Sequence, residues 1–184
     1  MTFGQRSTIG GYKCEEVTSA MQKCIRRGME EAALFWATEL DLSGFGEYVW
    51  KRLKIIASED VGPASPLTTL EIFVLYNHWQ AQRKKEDTKH APERLFLVDA
   101  VIRLCRSYKT RAVDHALIVF YEGKREHREI PDFALDRHTQ RGRRLKRGYD
   151  HFFTEGVGDK IPTDPVYEKR ARDIRRDNKL ELES

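Results

Sequence analysis

The sequence has 184 residues, of which 34% are charged and 40% hydrophobic, and its formal net charge at pH 7 is +4. This composition is typical of one globular domain with a tail, and the small positive excess does not by itself indicate a nucleic-acid partner. No apolar run reaches the ~18 residues of a membrane span, and the polar first residues do not resemble a signal peptide. We therefore expect a soluble, cytoplasmic protein whose three distant cysteines are reduced.

Apolar residues at helical spacing predict the first three helices. The pattern indicates helices over residues 15–27 and 30–40, followed by a turn in which Ser43 is a candidate N-cap. A third helix then carries an apolar stripe from Val49 onward and ends at Gly62, which can take the left-handed conformation. Three helices with short connections predict an antiparallel array rather than a sheet.

Three more helices are predicted in the middle of the chain. The fourth begins near Thr68 and is apolar on nearly all sides, so we expect it to lie at the centre of the fold. Residues 83–94 carry charges of both signs, which favours a solvated loop. Pro92 fits the first turn of the fifth helix, and Thr110 is a candidate cap for the sixth. We expect the apolar residues of the sixth helix to face the core: Ala112, Val113, Ala116, Leu117 and Phe120.

The third helix ends in Ser58, Glu59 and Asp60. Carboxylates in a last helical turn oppose the helix dipole, at about 0.3–1 kcal/mol each when exposed. We therefore expect both acids to have partners, such as neighbouring arginines, backbone donors or the start of another helix. The cations of residues 51–54 are the first candidates, and they are expected to pair with these acids or with Glu47.

Three stretches resemble one known family in their order and spacing. They are residues 17–28 (VTSAMQKCIRRG), residues 32–37 (AALFWA) and residues 51–62 (KRLKIIASEDVG), and residues 147–151 (RGYDH) give a more divergent match. They resemble the C-terminal domain of the clamp-loader-like AAA+ ATPases called replication-associated recombination protein A or maintenance of genome stability protein A. Werner-helicase-interacting protein is similar. The residues that carry the motif are Trp36, Arg52, Ser58, Glu59, Asp60 and Gly62.

The resemblance implies an all-α, antiparallel multi-helix array like the clamp-loader collar domain. Residues 12–155 would form this domain, residues 1–11 a flexible lead-in, and residues 156–184 a loop with a charged C-terminal helix or tail. In the family the domain drives oligomerisation and follows an ATPase module that acts on DNA at stalled replication forks. The resemblance thus implies a homo-oligomer, with an AAA+ ATPase or another replication-fork protein as a candidate partner.

Nucleotide chemistry has no motif in this sequence. A loop of the form GxxxxGKS or GxxxxGKT, which cradles a triphosphate, does not occur in the 184 residues. We therefore expect no ATPase activity from this chain, no cofactor and no catalytic residues.

A basic segment with interleaved aromatic residues, 137–153, is the best candidate for binding DNA. Guanidinium groups bind phosphates in a bidentate manner, and aromatic rings can stack on unpaired bases. The alternative is a solvated helix whose aromatic residues anchor it to the core. The candidate nucleic-acid-binding residues are Arg137, Arg141, Arg143, Arg144, Lys146, Arg147 and Tyr149.

Two other functions stay open at the level of sequence. A metal-dependent hydrolase of nucleic acid could use histidine and aspartate residues after position 114, such as Asp136, His138, Asp150 and His151. Their spacing matches no metal-binding motif, and we expect no metal site. The third candidate is a pure protein-interaction module that does not touch DNA.

Overall fold

The computed structural model describes residues 3–83, 91–156, 166–167 and 169–175. These residues are helical or lie in turns and loops, and their one bridge of β type is an isolated antiparallel pair between Ser7 and Lys13. The prediction of an all-α fold is confirmed. The chain forms two compact units, residues 1–124 and residues 125–184, each of which is described by itself below.

The first unit contains six α-helices, three of which continue into a π-helical turn. The α-helices are α1 (Cys14–Arg26), α2 (Glu30–Leu40), α3 (Gly46–Ile56), α4 (Thr68–Arg83), α5 (Glu93–Arg106) and α6 (Ala112–Leu117). The π-helical turns are Asp41–Phe45 after α2, Ala57–Val61 after α3 and Ile118–Glu122 after α6. In the first of them the chain kinks at Gly44, which has φ +83°. The predicted bounds of the first two helices are confirmed to within one residue.

The core of this unit forms around α3. Trp50 is fully buried, and its ring lies 5.9 Å from that of Trp79 on α4. The helix α1 packs against α2, and α5 packs against both α2 and α4. For α1, α3 and α5, the helical spacing of the apolar residues correctly predicts which side of the helix is buried. The buried apolar side chains that they contribute are Cys14, Val17, Met21, Ile25, Val49, Trp50, Leu53, Ile56, Leu97, Ala100, Val101, Leu104 and Cys105.

The expectation that α4 lies at the centre of the fold is wrong. Ile72 and Trp79 are its buried apolar residues, whereas Leu70, Phe73 and Val74 are exposed. The neighbouring helices α3 and α5 and the turn after α3 pack against α4. They cover one face of the helix, so the apolar residues on its other face remain at the surface.

Two of the predicted caps take other roles. Ser43 lies inside the π-helical turn after α2, where its hydroxyl donates to the Glu39 carbonyl at 2.6 Å and accepts from the Ile9 amide at 3.0 Å. Arg111, not Thr110, occupies the N-cap position of α6, although the Thr110 hydroxyl still accepts from the Ala112 amide at 3.2 Å.

The second unit consists of short helical turns. They are a 3-10 helix (Asp132–Ala134), α7 (Gln140–Arg144), α8 (Tyr149–His151), a π-helical turn (Phe152–Gly156) and helical residues 166–167 and 169–175. Thr139 caps α7 by accepting from the Gly142 amide at 3.0 Å. A Cβ atom on Gly142 would lie 1.7 Å from the Asp136 carbonyl oxygen, so only glycine fits at this turn.

Parts of the sequence-based description lie outside the described residues. These are positions 84–90 of the predicted polar loop and much of the predicted charged C-terminal helix. Among the described residues, no helix is both long enough and apolar enough to cross a membrane.

Candidate functional site

The Ser-Glu-Asp motif lies in the π-helical turn after α3. Asp60 is fully buried, and its carboxylate accepts hydrogen bonds from Arg26 Nε at 2.5 Å, Arg111 Nη1 at 2.8 Å and Gln22 Nε2 at 3.2 Å. Glu59 accepts from the same two arginines, at 2.8 Å from Arg111 and 3.4 Å from Arg26. The two carboxylates thus join α1 to the start of α6, and the expectation that arginines neutralise them is confirmed.

The expected partners on α3 itself are wrong. The Lys54 ammonium lies 3.6 Å from the centre of the Tyr76 ring, and Arg52 donates to the side-chain oxygen of Gln22. The π-helical turn contacts the start of α6, and its acids meet arginines from α1 and from the residue before α6, not the cations one or two turns earlier on α3.

Hydrogen bonding keeps Asp60 ionised despite its burial. Loss of solvent raises the pKa of this carboxyl, but the hydrogen bonds from Arg26, Arg111 and Gln22 outweigh that effect, so the pKa lies below its ordinary value. The hydrogen bonds that Arg111 donates to Glu59 and then to Asp60 raise the pKa of Arg111. A carboxylate whose oxygens are occupied in this way is suited to a structural role.

Of the remaining motif residues, Ser58 lies in this turn, Gly62 follows it, and Trp36 lies on α2. Gly62 has φ +48° and ψ −133°, a conformation that side chains rarely adopt, and a Cβ atom there would lie 3.1 Å from Val113 Cγ2. Ser58 is exposed. Trp36 is half-buried and meets the rings of Tyr12 and Phe35 edge-on, with centroid distances of 5.3 and 4.7 Å.

Some cations of the basic segment are occupied by contacts within the second unit. Arg147 donates to both carboxylate oxygens of Asp132 at 2.6 Å and to the Leu135 carbonyl at 3.0 Å. This hydrogen bonding lowers the pKa of Asp132. Arg143 donates to the His138 carbonyl at 3.0 Å. We infer that Arg147 in particular stabilises the loop before α7.

Tyr149 is covered by cations rather than open for stacking on a base. The guanidinium of Arg137 lies 4.0 Å from the centre of its ring, and that of Arg175 lies at 4.4 Å. Such cation–π contacts are worth about 0.5–1 kcal/mol at exposed sites. These contacts lie wholly within the second unit.

The other three cations are exposed. Arg141, Arg144 and Lys146 follow one another within a short stretch, and all three side chains face solvent. Within the described part of the chain, neither Arg144 nor Lys146 makes a side-chain hydrogen bond or an ion pair. The structure thus divides the seven candidate residues into an engaged group of four and an exposed group of three.

The candidate residues for metal chemistry do not form a cluster. Asp136 accepts from the backbone amide of His138 at 2.9 Å. In the ranges that the structure covers, no group of three or more histidine, cysteine, aspartate or glutamate residues is placed to hold a metal ion.

An apolar surface segment was missed by the sequence prediction. The segment Ala112–Glu122, formed by α6 and the turn after it, is called the apolar segment below. The expectation that Val113, Leu117 and Phe120 face the core is wrong, because all three are exposed, Phe120 by 60%. Ile118, Val119 and Tyr121 are exposed as well, Tyr121 by 82%. Its residues are apolar around almost the whole helix, whereas a single neighbouring element can cover only one side. That pattern was the available signal in the sequence.

Comparison with known proteins identifies the family of this chain. The chain matches, over residues 28–167, the family model described as the MgsA AAA+ ATPase C terminal, and it belongs to this family. The resemblance to this family is thereby confirmed.

Two curated relatives carry the name replication-associated recombination protein A. The chain is 31% identical to the one from Bacillus subtilis over 175 residues. This match covers 90% of this chain and 40% of the relative. It is 30% identical to the one from Haemophilus influenzae over 137 residues, and this match covers 71% of this chain and 27% of the relative. The chain thus spans less than half the length of the curated relatives that it matches, and it is related to proteins of replication-associated recombination.

Proposed function

We propose that this chain is a non-catalytic assembly module in DNA replication or repair, and that copies of it associate through the apolar segment. The observation that carries the proposal is the exposure of large hydrophobic side chains along Val113–Tyr121. A contiguous apolar surface of this kind usually marks a site of protein association. The family supports a second copy of the chain as the partner, because oligomerisation is the role that its collar-type domain implies.

The energetics are consistent with self-association. Burying the exposed half of a large aliphatic or aromatic side chain contributes about 1 kcal/mol. The apolar segment offers six such side chains from each copy: Val113, Leu117, Ile118, Val119, Phe120 and Tyr121. A facing segment covers one side of the helix, so roughly half of these side chains are buried, and two facing segments supply about 6 kcal/mol. This lies within the ~4–15 kcal/mol lost in translational and rotational freedom. Contacts outside the segment would add to this.

Catalysis has no support in these residues. The sequence has no triphosphate-binding loop, so ATP hydrolysis is not expected from the 184 residues. We therefore propose an AAA+ ATPase or another replication-fork protein as a further partner.

Sedimentation of the chain over a range of concentrations tests the assembly role. We expect Leu117→Asp to shift the protein towards the monomer, because a carboxylate cannot be buried in an apolar interface without a partner. Leu42→Asp is the matched control, since Leu42 is 53% and Leu117 50% exposed. A protein that is monomeric at all concentrations before any substitution would contradict the proposal.

Contact with DNA is a second proposed function. The exposed cations Arg141, Arg144 and Lys146 support it, because cations that face solvent can neutralise phosphates. The engaged residues Arg137, Arg143, Arg147 and Tyr149 would act by maintaining the local structure. If the chain does not bind DNA at low salt, the remaining proposal is a protein-interaction module that does not touch DNA.

Metal-dependent hydrolysis of nucleic acid that is lost in the His138→Ala variant would instead favour the hydrolase.

A further inference from the structure

The apolar segment is attached to the first unit with little help from apolar burial. No residue of α6 or of the turn Ile118–Glu122, all of which the structure describes, is buried. The segment does contact the π-helical turn Ala57–Val61, and Val113 lies beside Gly62, the residue that follows this turn. Because no residue of the segment is buried, apolar contacts hold its direction only weakly.

Polar contacts at the N-terminal end of the segment attach it to the turn after α3. The Thr110 amide donates to the Asp60 carbonyl oxygen at 3.0 Å. Arg111 donates from Nη1 to Glu59 and Asp60, both at 2.8 Å, and from Nη2 to Asp114 in the first turn of α6. One planar guanidinium thus connects the buried turn to the helix itself, with a geometry that a flexible ammonium does not offer.

Arg26 provides the internal comparison. It pairs with the same two carboxylates from α1, and its side chain is 34% exposed, against 31% for Arg111. However, α1 is already fixed by its buried residues Val17, Met21 and Ile25. Loss of Arg26 should therefore weaken the ion network without changing the direction of any helix.

From this contrast we propose that Arg111 is a positioning residue, which holds the apolar segment in the orientation required for self-association through Glu59, Asp60 and Asp114. The inference rests on the proposed assembly function. It assigns to the Ser-Glu-Asp motif a specific task, which is to orient the assembly surface, in addition to stabilising the end of α3.

The test compares Arg111→Gln with Arg26→Gln in the full chain. Each variant is examined by sedimentation equilibrium for self-association, by urea unfolding for stability, and by hydrogen exchange of the amides of residues 112–122 at a concentration at which the protein is monomeric. We expect Arg111→Gln to raise the dissociation constant about tenfold and to accelerate exchange in residues 112–122. Arg26→Gln should lower the urea midpoint at least as much while leaving the dissociation constant within about twofold.

Three other outcomes would overturn the inference, and they are distinguishable. Self-association of the unsubstituted chain that Arg111→Gln leaves intact would refute the positioning role but not the assembly function. Equal loss of self-association in both variants would show that the network acts only through overall stability. A monomeric unsubstituted chain would contradict the assembly function and the inference that rests on it.

Discussion

At the scale of single residues, Asp60 determines how the end of α3 is held. Its carboxylate is fully buried and is neutralised by two arginines that are themselves only partly exposed. An isolated buried charge would be strongly destabilising, whereas a paired and hydrogen-bonded one is tolerated. Removing the Asp60 carboxylate should therefore lower stability, because it leaves both arginines without their buried anionic partner.

We predict that Asp60→Asn lowers the free energy of unfolding by about 2 kcal/mol, because two guanidinium groups lose a buried anionic partner. The value is below that of a fully buried pair because the arginines reach solvent. Urea unfolding monitored by circular dichroism measures it. Glu59→Gln is the control, since Glu59 is partly exposed, and should cost less than half as much. A larger loss in the control would refute this account of the motif.

A second prediction concerns acid stability. The folded state lowers the pKa of Asp60, so the stabilisation is fully present above the unfolded-state value of about 3.9. It is lost as the pH falls through the still lower pKa of the folded state. The difference in unfolding free energy between the unsubstituted chain and Asp60→Asn should therefore be constant from about pH 5 to 8 and shrink below about pH 4. A difference that grows on acidification would contradict this assignment.

At the scale of elements, the turn after α3 depends on a glycine that contacts α6. Gly62 has positive φ, and an added Cβ atom would crowd Val113, whereas Gly44 has φ +83° with open space around it. Both positions are strained for other residues, but only at Gly62 would the added Cβ atom also make a tight contact with a neighbouring side chain.

We predict that Gly62→Ala destabilises the chain by about 2–3 kcal/mol and Gly44→Ala by about 1 kcal/mol, as judged by thermal unfolding. The difference between the two losses of stability measures the cost of crowding Val113 at the contact with α6. Equal losses in the two variants would show that this contact has no energetic weight.

Elements with one apolar face were predictable from sequence, and elements without one were not. Val17, Met21 and Ile25 repeat at helical spacing, so α1 and its buried side follow directly. In α4 and in the apolar segment, hydrophobic residues occur on all sides, so the pattern indicates no direction of packing. Burial there depends on which neighbours are present, which is a tertiary property.

The candidate site was partly predictable for the same reason. The misplaced charges of Glu59 and Asp60 implied arginine partners, but the identity of Arg26 and Arg111 depends on which helices approach the turn. In the basic segment, composition could not separate Arg147, which is engaged by Asp132, from the exposed Arg144.

At the scale of the whole molecule, DNA binding gives a quantitative expectation. If Arg141, Arg144 and Lys146 each contact one phosphate of duplex DNA, replacing all three with glutamine should reduce the slope of log K against log salt by about 3. Fluorescence anisotropy over a salt series measures this slope. Three exposed cations of the first unit, Lys13, Arg27 and Lys51, form the matched control when replaced by glutamine. A slope that falls equally in both triple variants would indicate that only net charge matters.

Self-association of the full chain is the most direct test of the central claim. Sedimentation equilibrium from low to high micromolar concentration should show an oligomer for the unsubstituted chain and for Leu42→Asp. Leu117→Asp, folded by circular dichroism, should have a dissociation constant that is raised at least about a hundredfold, corresponding to roughly 2.7 kcal/mol. A folded Leu117→Asp variant that associates as tightly as the unsubstituted chain would show that the apolar segment is not the assembly surface.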